Sequence, residues 1–357
     1  MTSLHADLNI STMNVPSTAF TEISSAEPGS KRRLMVSDNP ENLDAASFPA
    51  AVGTLWYDKV NTSERSVTHR VFGWHHNKMG RMVHIGLIIE NTSETNQIQI
   101  RQIHRELRLH NHDWLIHIGQ SLATLCLSGM MEAFTADDHQ PFAKGVSLVE
   151  STAVSDDLLY GFIYEFTIVR TSGTGNLDYI IRTVASQEQE ADIRSITSEP
   201  LPSIHAHPRG SWPYSETIAQ MSPYTVGEEK LCRLCTKATL DGAAPADLLF
   251  TSVTSEMKEG AVNNIGQFGV NYTVNIPIIN NTNESKMIRI SLNARGGKYA
   301  GAAAIDGRVY GIPTLSDNTE GCYLADYTAP VGTSTFSFQI MHAGDSMLPI
   351  GIFVTTI

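Results

Sequence analysis

Apolar and polar residues alternate along most of this chain in short runs, each closed by Gly, Pro, Asn or Asp. An alternation of period two sends successive side chains to opposite faces of a sheet, so each run predicts a half-buried β-strand. Such runs cover 54–57, 66–74, 82–89, 97–107, 145–150, 158–169 and 177–185 in the first half. They resume at 216–221, 230–240, 269–279, 286–292, 300–305, 308–312, 321–327, 334–341 and 349–356. Asp306-Gly307, between two of them, is the two-residue signal of a type I′ turn. Over 159–166 apolar side chains fill nearly every position, which predicts a strand buried on both faces or set in a subunit contact. The period changes once: Leu115, Ile118, Leu122, Leu125, Cys126, Met130 and Phe134 follow helical spacing. One prominent helix is therefore expected near 114–134, with Asp113 as its N-cap.

One phrase occurs twice. Ile88-Ile89-Glu90-Asn91-Thr92-Ser93-Glu94-Thr95, running on to Ile98 and Ile100, returns 190 positions later as Ile278-Ile279-Asn280-Asn281-Thr282-Asn283-Glu284-Ser285, running on to Ile288 and Ile290. Each copy reads as a strand, a polar turn and a second strand, hence a β-hairpin. So long a period is not a solenoid repeat and suggests two related domains in tandem. The expected fold is mostly β: two tandem antiparallel β-sandwich domains, with one prominent helix in the first. Residues 1–47 form a flexible N-terminal arm, 48–198 the first sandwich, 199–214 a linker and 215–357 the second sandwich. The prolines and glycine of 207–214 forbid a regular element there. Within the arm, Leu8, Ile10, Met13 and Val15 alternate partly, as a strand added to a neighbouring subunit would. A plain solvated tail is the other reading.

Composition narrows the function classes. A chain of 357 residues with 41% apolar content can bury two cores. The net charge of −12 repels phosphate backbones, so no nucleic-acid partner is expected; the one compact basic run is Lys31-Arg32-Arg33. Residues 1–30 contain no apolar signal-peptide core, and no stretch approaches the ~20 apolar residues of a membrane span. Four cysteines stand at 126, 232, 235 and 322. Cys232 and Cys235 have CxxC spacing without a second pair, and on a strand they point to opposite faces, so free or structural thiols are expected.

Several segments resemble a known group. These are Ser37-Asp38-Asn39-Pro40-Glu41, His207-Pro208-Arg209-Gly210, the stretches 266–272, 279–283 and 293–302, and the C-terminal run from His342-Ala343-Gly344 through Leu348-Pro349-Ile350-Gly351-Ile352. From about residue 34 onward the chain is similar to uncharacterised two-domain envelope proteins of spore-forming Gram-positive bacteria. Many of those carry a module named after the N-terminal domain of copper amine oxidase, which is not recognisable here. The resemblance implies a cell-surface or extracellular setting and supplies no catalytic residue.

Histidine is the residue with most chemical promise: seven of 13 lie between His75 and His117. His110 with His112, and His205 with His207, have the His-x-His spacing that can share a metal on one strand face. No carboxylate follows at a cupin-like spacing, so surface or capping histidines, without metal or other cofactor, are the expectation. Clustered histidines at a subunit contact would make assembly pH-sensitive. The glycines after Asn293 lack the order of a phosphate loop and read as a strand-ending turn. Asp137-Asp138 and Asp156-Asp157 read as solvated turns, and the four tryptophans as core. No nucleophile elbow or zincin motif is present. The expected function is thus a non-enzymatic structural subunit that self-assembles into a bacterial surface or extracellular polymer: a filament, layer or spore-associated coat, joined by N-terminal strand exchange. A virus capsid subunit with two jelly rolls is a structural variant of that reading. An envelope polysaccharide-binding module and a histidine-metal enzyme are the alternatives. Spore-associated and cytoplasmic locations stay open.

Overall fold

The computed structural model describes residues 7–12, 20–136, 143–204, 206–252, 259–316 and 320–357. Four strands come first: β1 (Ile10–Thr12), β2 (Thr21–Pro28), β3 (Arg33–Ser37) and β4 (Asn42–Leu43). The first sandwich then follows as β5 (Val52–Thr62), β6 (Ser66–Asn77), β7 (Val83–Asn91), β8 (Gln97–His110), β9 (Glu132–Phe134), β10 (Val146–Val154), β11 (Leu159–Ser172) and β12 (Leu177–Ser186). One sheet runs β10-β7-β12-β5; the sheet facing it runs β6-β11-β8-β9. In chain order these are the sixth, third, eighth and first strands against the second, seventh, fourth and fifth. That is two wound Greek keys, a jelly roll.

β13 (Arg209–Trp212), β14 (Glu216–Met221) and β15 (Tyr224–Thr225) lead into the second sandwich. Its body is β16 (Glu229–Leu234), β17 (Asn271–Asn280), β18 (Lys286–Ala294), β19 (Tyr299–Ile305), β20 (Arg308–Leu315), β21 (Glu320–Ala329), β22 (Gly332–His342) and β23 (Ile350–Thr356). These strands repeat the same order, β21-β18-β23-β16 against β17-β22-β19-β20. Ile288, Ile290, Leu292, Ile352 and Val354 from one layer meet Val274, Ile276, Ile278, Phe338 and Ile340 from the other. The two tandem sandwiches are therefore two jelly rolls.

Several expectations need correction. The duplicated phrase forms no hairpin. β7 pairs with β10 and β12, while β8 pairs with β11 and β9 in the opposite sheet. β17 and β18 likewise part into opposite layers. Nor do the copies occupy equivalent places, for they fall between the third and fourth strands of one roll and the second and third of the other. What they share is a corner device. Asn91 and Asn280 are buried, and each side-chain amide donates to a carbonyl across its loop, Asn96 O at 2.8 Å and Glu284 O at 2.9 Å. Each Oδ1 accepts a backbone N–H two residues on, as an Asx turn does.

The arm is not a free tail beyond residue 20. β2 lies between β14 and β16 and joins the two layers of the second roll, while β3 pairs with β6 of the first. The linker holds a regular strand: β13 fits between Pro208 and Pro213 and pairs with β3 at a sheet margin, where no proline must donate. The helix is shorter than expected. A π-helical turn (Leu115–Gln120) runs into α1 (Ser121–Leu127), and Gly129 at φ +67° ends it, with Met130 N–H bonded to Leu125 O at 3.0 Å. Phe134 belongs to β9. Asp113 offers no side-chain cap; it sits at φ 47°, and its carbonyl accepts from Ile116 and His117 instead.

Other features agree. Asp306 and Gly307 both have positive φ, as a type I′ turn requires. β11 is buried on both faces: Tyr160, Phe162, Tyr164 and Phe166 point into the first core, whereas Leu159 and Ile163 join a third apolar cluster. That cluster is the junction of the two rolls. Leu34, Phe72, Trp74, Ile118 and Leu122 meet Trp212, Phe250, Val270, Ala302 and Met341 across it. Arg70, 1% exposed, spans the same boundary. It donates to Glu165 on its own roll at 2.6 and 2.8 Å, and to Gly269 O and Asn271 Oδ1 on the other at 2.8 and 3.1 Å.

Candidate functional site

Two regions gather the chemistry. The first is the edge at β21. There β1 pairs antiparallel, with Ile10 opposite Cys322, Ser11 opposite Gly321 and Thr12 opposite Glu320. Leu8 N–H donates to Gly311 O at 2.9 Å, and the Leu8 side chain packs against the second core, while Ile10 stays 50% exposed. Met13 and Val15 lie outside the described residues. Two of the four arm residues thus contact an edge of their own chain.

The second region is the pocket where the two rolls and the linker meet. Its volume is about 320 Å³, and Asp38, Glu41, Trp74, His207, Phe268 and Asp345 are among its walls. His207 Nδ1 lies 3.1 Å from Glu41 Oε2 and 3.9 Å from Asp38 Oδ2. The loop that carries the two acids is tied on several sides. Asp38 N–H donates to Pro208 O, Asn39 Nδ2 to His207 O and Ile204 N–H to Asn39 Oδ1. His76 N–H donates to Glu41 O. Arg209, buried over the Trp56 ring, donates to the carbonyls of Asn39, Leu201 and Gly260. Burial, then the neighbouring charges of Glu41 and Asp345, push the Asp38 carboxyl well above its ordinary range. Asp345 is raised by burial and by Glu41, against the pull of Lys298. The Glu41 hydrogen bond raises His207.

The two His-x-His expectations meet different outcomes. His110 and His112 do come together, and the structure adds His117 from the π-helical turn, with the three sets of ring nitrogens within 4.8 Å of one another. The cluster is largely open to water, and the His110 and His117 rings stack at 4.2 Å. His205 lies outside the described residues, so its pairing with His207 is replaced by the Asp38 and Glu41 carboxylates as His207's described neighbours. Asp38, Glu41, Asp345 and His117 were not singled out by spacing. Three of the segments that carry the resemblance, around residues 37–41, 207–210 and 342–352, converge on this one pocket. Asp157 sits at φ 62° in a turn, and Asp156 accepts from Gly80 N–H, as expected of loop acids; Asp137-Asp138 lie outside the described residues.

Buried histidines and thiols elsewhere are held neutral. All four cysteines are free and buried, and burial pushes Cys126 up to about 11 and Cys232 and Cys322 to about 12. His342 sits 3.5 Å from the Cys235 sulfur and 3.0 Å from the Tyr299 hydroxyl, and burial lowers it to about 3. His75, wedged between Ser37 and Pro40 O, is lowered to about 4. A thiol raised by burial beside a neutral imidazole is no nucleophile. His75 and His342 instead set a pH response. Below about pH 6.5 the unfolded chain protonates these histidines while the folded chain does not, so each weakens folding by ~1.4 kcal/mol per pH unit down to its folded value. Buried carboxyls such as Asp38 and Asp247, whose raised pKa favours the folded state in acid, oppose that loss. The unfolding free energy of His342→Gln should therefore fall less steeply than wild type between pH 6.5 and 5 in urea titrations; equal slopes would contradict the assignment.

No protein-family profile matches the chain, and no curated protein matches it. Among solved structures it is similar to the Paenibacillus xanthan lyase, at 12% identity and a TM-score of 0.16, over 84% of this chain and 24% of the lyase. It is also similar to a multicopper oxidase from Campylobacter jejuni, at 8% identity and a TM-score of 0.09, over 76% of this chain and 47% of the oxidase. The chain thus spans about a quarter of the lyase's length. Scores this low carry no argument about fold or function. No helix among the described residues is long and apolar enough to cross a membrane.

Proposed function

We propose that this chain is a non-enzymatic structural subunit that self-associates into a regular polymer or shell at the bacterial surface or outside the cell. The observation that carries the reading is the pairing of β1 with the edge of the second jelly roll. A three-residue strand with an exposed Ile10 is weakly held, and the edge it covers is a template for the same strand from a neighbour. Exchange of β1 between copies would keep every pairing and add a subunit contact. Beside that edge, Tyr323 and Met287 are exposed apolar side chains that a neighbouring copy would cover. The fusion of two jelly rolls through a buried junction supports the same reading, since such a block presents fixed outer faces for repetition, as jelly rolls do in viral shells.

Negative-stain electron microscopy of the untagged protein, with light scattering after size exclusion, tests this. Filaments, sheets or closed shells are expected. A persistent 39.1 kDa monomer would refute self-assembly, and a monomer that binds isolated envelope polysaccharide would establish the binding-module alternative.

A further inference from the structure

We propose that the pocket between the two jelly rolls is a divalent-cation site, in which Asp38, Glu41 and His207 bind a first-row ion of the Zn²⁺ or Mn²⁺ type. The inference is independent of self-assembly. Three donor groups from two separate stretches of chain lie with their ligand atoms within 4.8 Å of one another, two of the pairs at 3.1 and 3.9 Å. Donor atoms at about 2.1 Å from one ion stand roughly 3 to 4 Å apart, so small side-chain rotations complete the set. Asp38 is the second, independent sign. It is only 6% exposed, it lines the pocket, and its Oδ1 has no hydrogen-bond partner among the described residues. A buried carboxylate oxygen without a donor is costly, and a cation is one of the few partners that satisfies it.

The donor set selects the ion. Carboxylates alone would suit Ca²⁺ or Mg²⁺, but an imidazole with two carboxylates suits Zn²⁺ or Mn²⁺. Asp345, from the second roll, brings a third carboxylate to the same pocket, with Lys298 its opposing charge. Binding would displace the proton that His207 Nδ1 shares with Glu41, so protons leave as the ion enters. Because His207 belongs to the linker and Asp38 and Glu41 follow β3, the ion would fasten the linker to the first roll beside the junction. The fixed backbone of the acidic loop means little ordering is needed on binding.

The test is calorimetric titration of EDTA-stripped, untagged, full-length protein with Zn²⁺ and with Mn²⁺, alongside thermal unfolding. One equivalent should bind, release protons and raise the unfolding temperature. Glu41→Gln and His207→Ala should each weaken binding about tenfold or more. Asp38→Asn should do the same while leaving the metal-free protein at least as stable as wild type, because it removes a carboxyl that burial makes costly to ionise. The triple variant His110→Ala, His112→Ala, His117→Ala should keep this equivalent. No saturable binding of either ion would overturn the proposal. So would binding lost in the triple variant yet unchanged in Glu41→Gln and His207→Ala, or a preference for Ca²⁺ over both ions.

Discussion

If β1 exchange builds the polymer, a chain lacking residues 1–15 should stay a folded monomer and form no polymer, whereas a chain lacking residues 1–30 should lose its second jelly roll. The two truncations differ by residues 16–30, which hold β2, and the difference is physical. β1 contributes a three-residue ladder on one side, and its Ile10 is half exposed, so its removal costs the fold little. β2 is paired on both sides. It runs antiparallel to β14 from Pro28 to Ile23 and parallel to β16 at Thr21 and Glu22. Ile23 is buried in the second core, Thr21 Oγ1 donates to Leu231 O at 3.2 Å, and Glu22 pairs with Arg233. Without it the two layers lose the strand that joins them, and buried N–H and C=O groups of β14 and β16 lose their partners. Circular dichroism and light scattering separate the outcomes. Normal polymers from the shorter truncation would sink strand exchange. A natively folded second roll in the longer one would sink the structural role of β2.

The strands of both rolls, β9 apart, were legible because a half-buried strand writes its two faces directly into the sequence. The reading of 159–166 as buried on both sides succeeded for the same reason, since the junction demands apolar side chains on the outer face too. What escaped was pairing. The shared phrase at Asn91 and Asn280 encodes a loop held by a buried amide, and that chemistry serves a hairpin and a sheet-to-sheet corner equally well. β2 escaped because its sequence, Thr21–Pro28, is polar: only Ile23 is fully buried, and the strand owes its place to hydrogen bonds on both sides. The helix ran past its end on paper because apolar spacing continued through Met130 and Phe134, while Gly129 alone carried the stop. The pocket was least legible of all. Asp38, His207 and Asp345 are distant in the chain, and only the docking of two rolls brings them together.

The docking of the two rolls rests on an indole: Trp74→Ala should lower stability by about 3–5 kcal/mol and split a single unfolding transition in two. Trp74 is 2% exposed on β6 and stacks on Phe72 with ring centroids 6.3 Å apart. Glycines make its slot. A Cβ at Gly344 would stand 2.4 Å from the indole, one at Gly161 would stand 3.1 Å from it, and one at Gly119 would stand 2.5 Å from the carbonyl oxygen of Gly344. The π-helical turn, the indole and the loop after β22 thus approach as closely as backbone allows, and nothing nearby can swell to fill the space an alanine leaves. Each roll keeps a core of its own, so loss of the junction should uncouple the two rather than unfold both. Gly344→Ala attacks the same contact from the other side by steric overlap and should give a comparable loss. Trp74 also walls the inter-roll pocket, so the substitution should weaken cation binding along with stability. Denaturant titration and differential scanning calorimetry read both effects. A loss below about 1 kcal/mol with one cooperative transition would mean that Arg70 and its partners, rather than the aromatic contact, hold the two jelly rolls together.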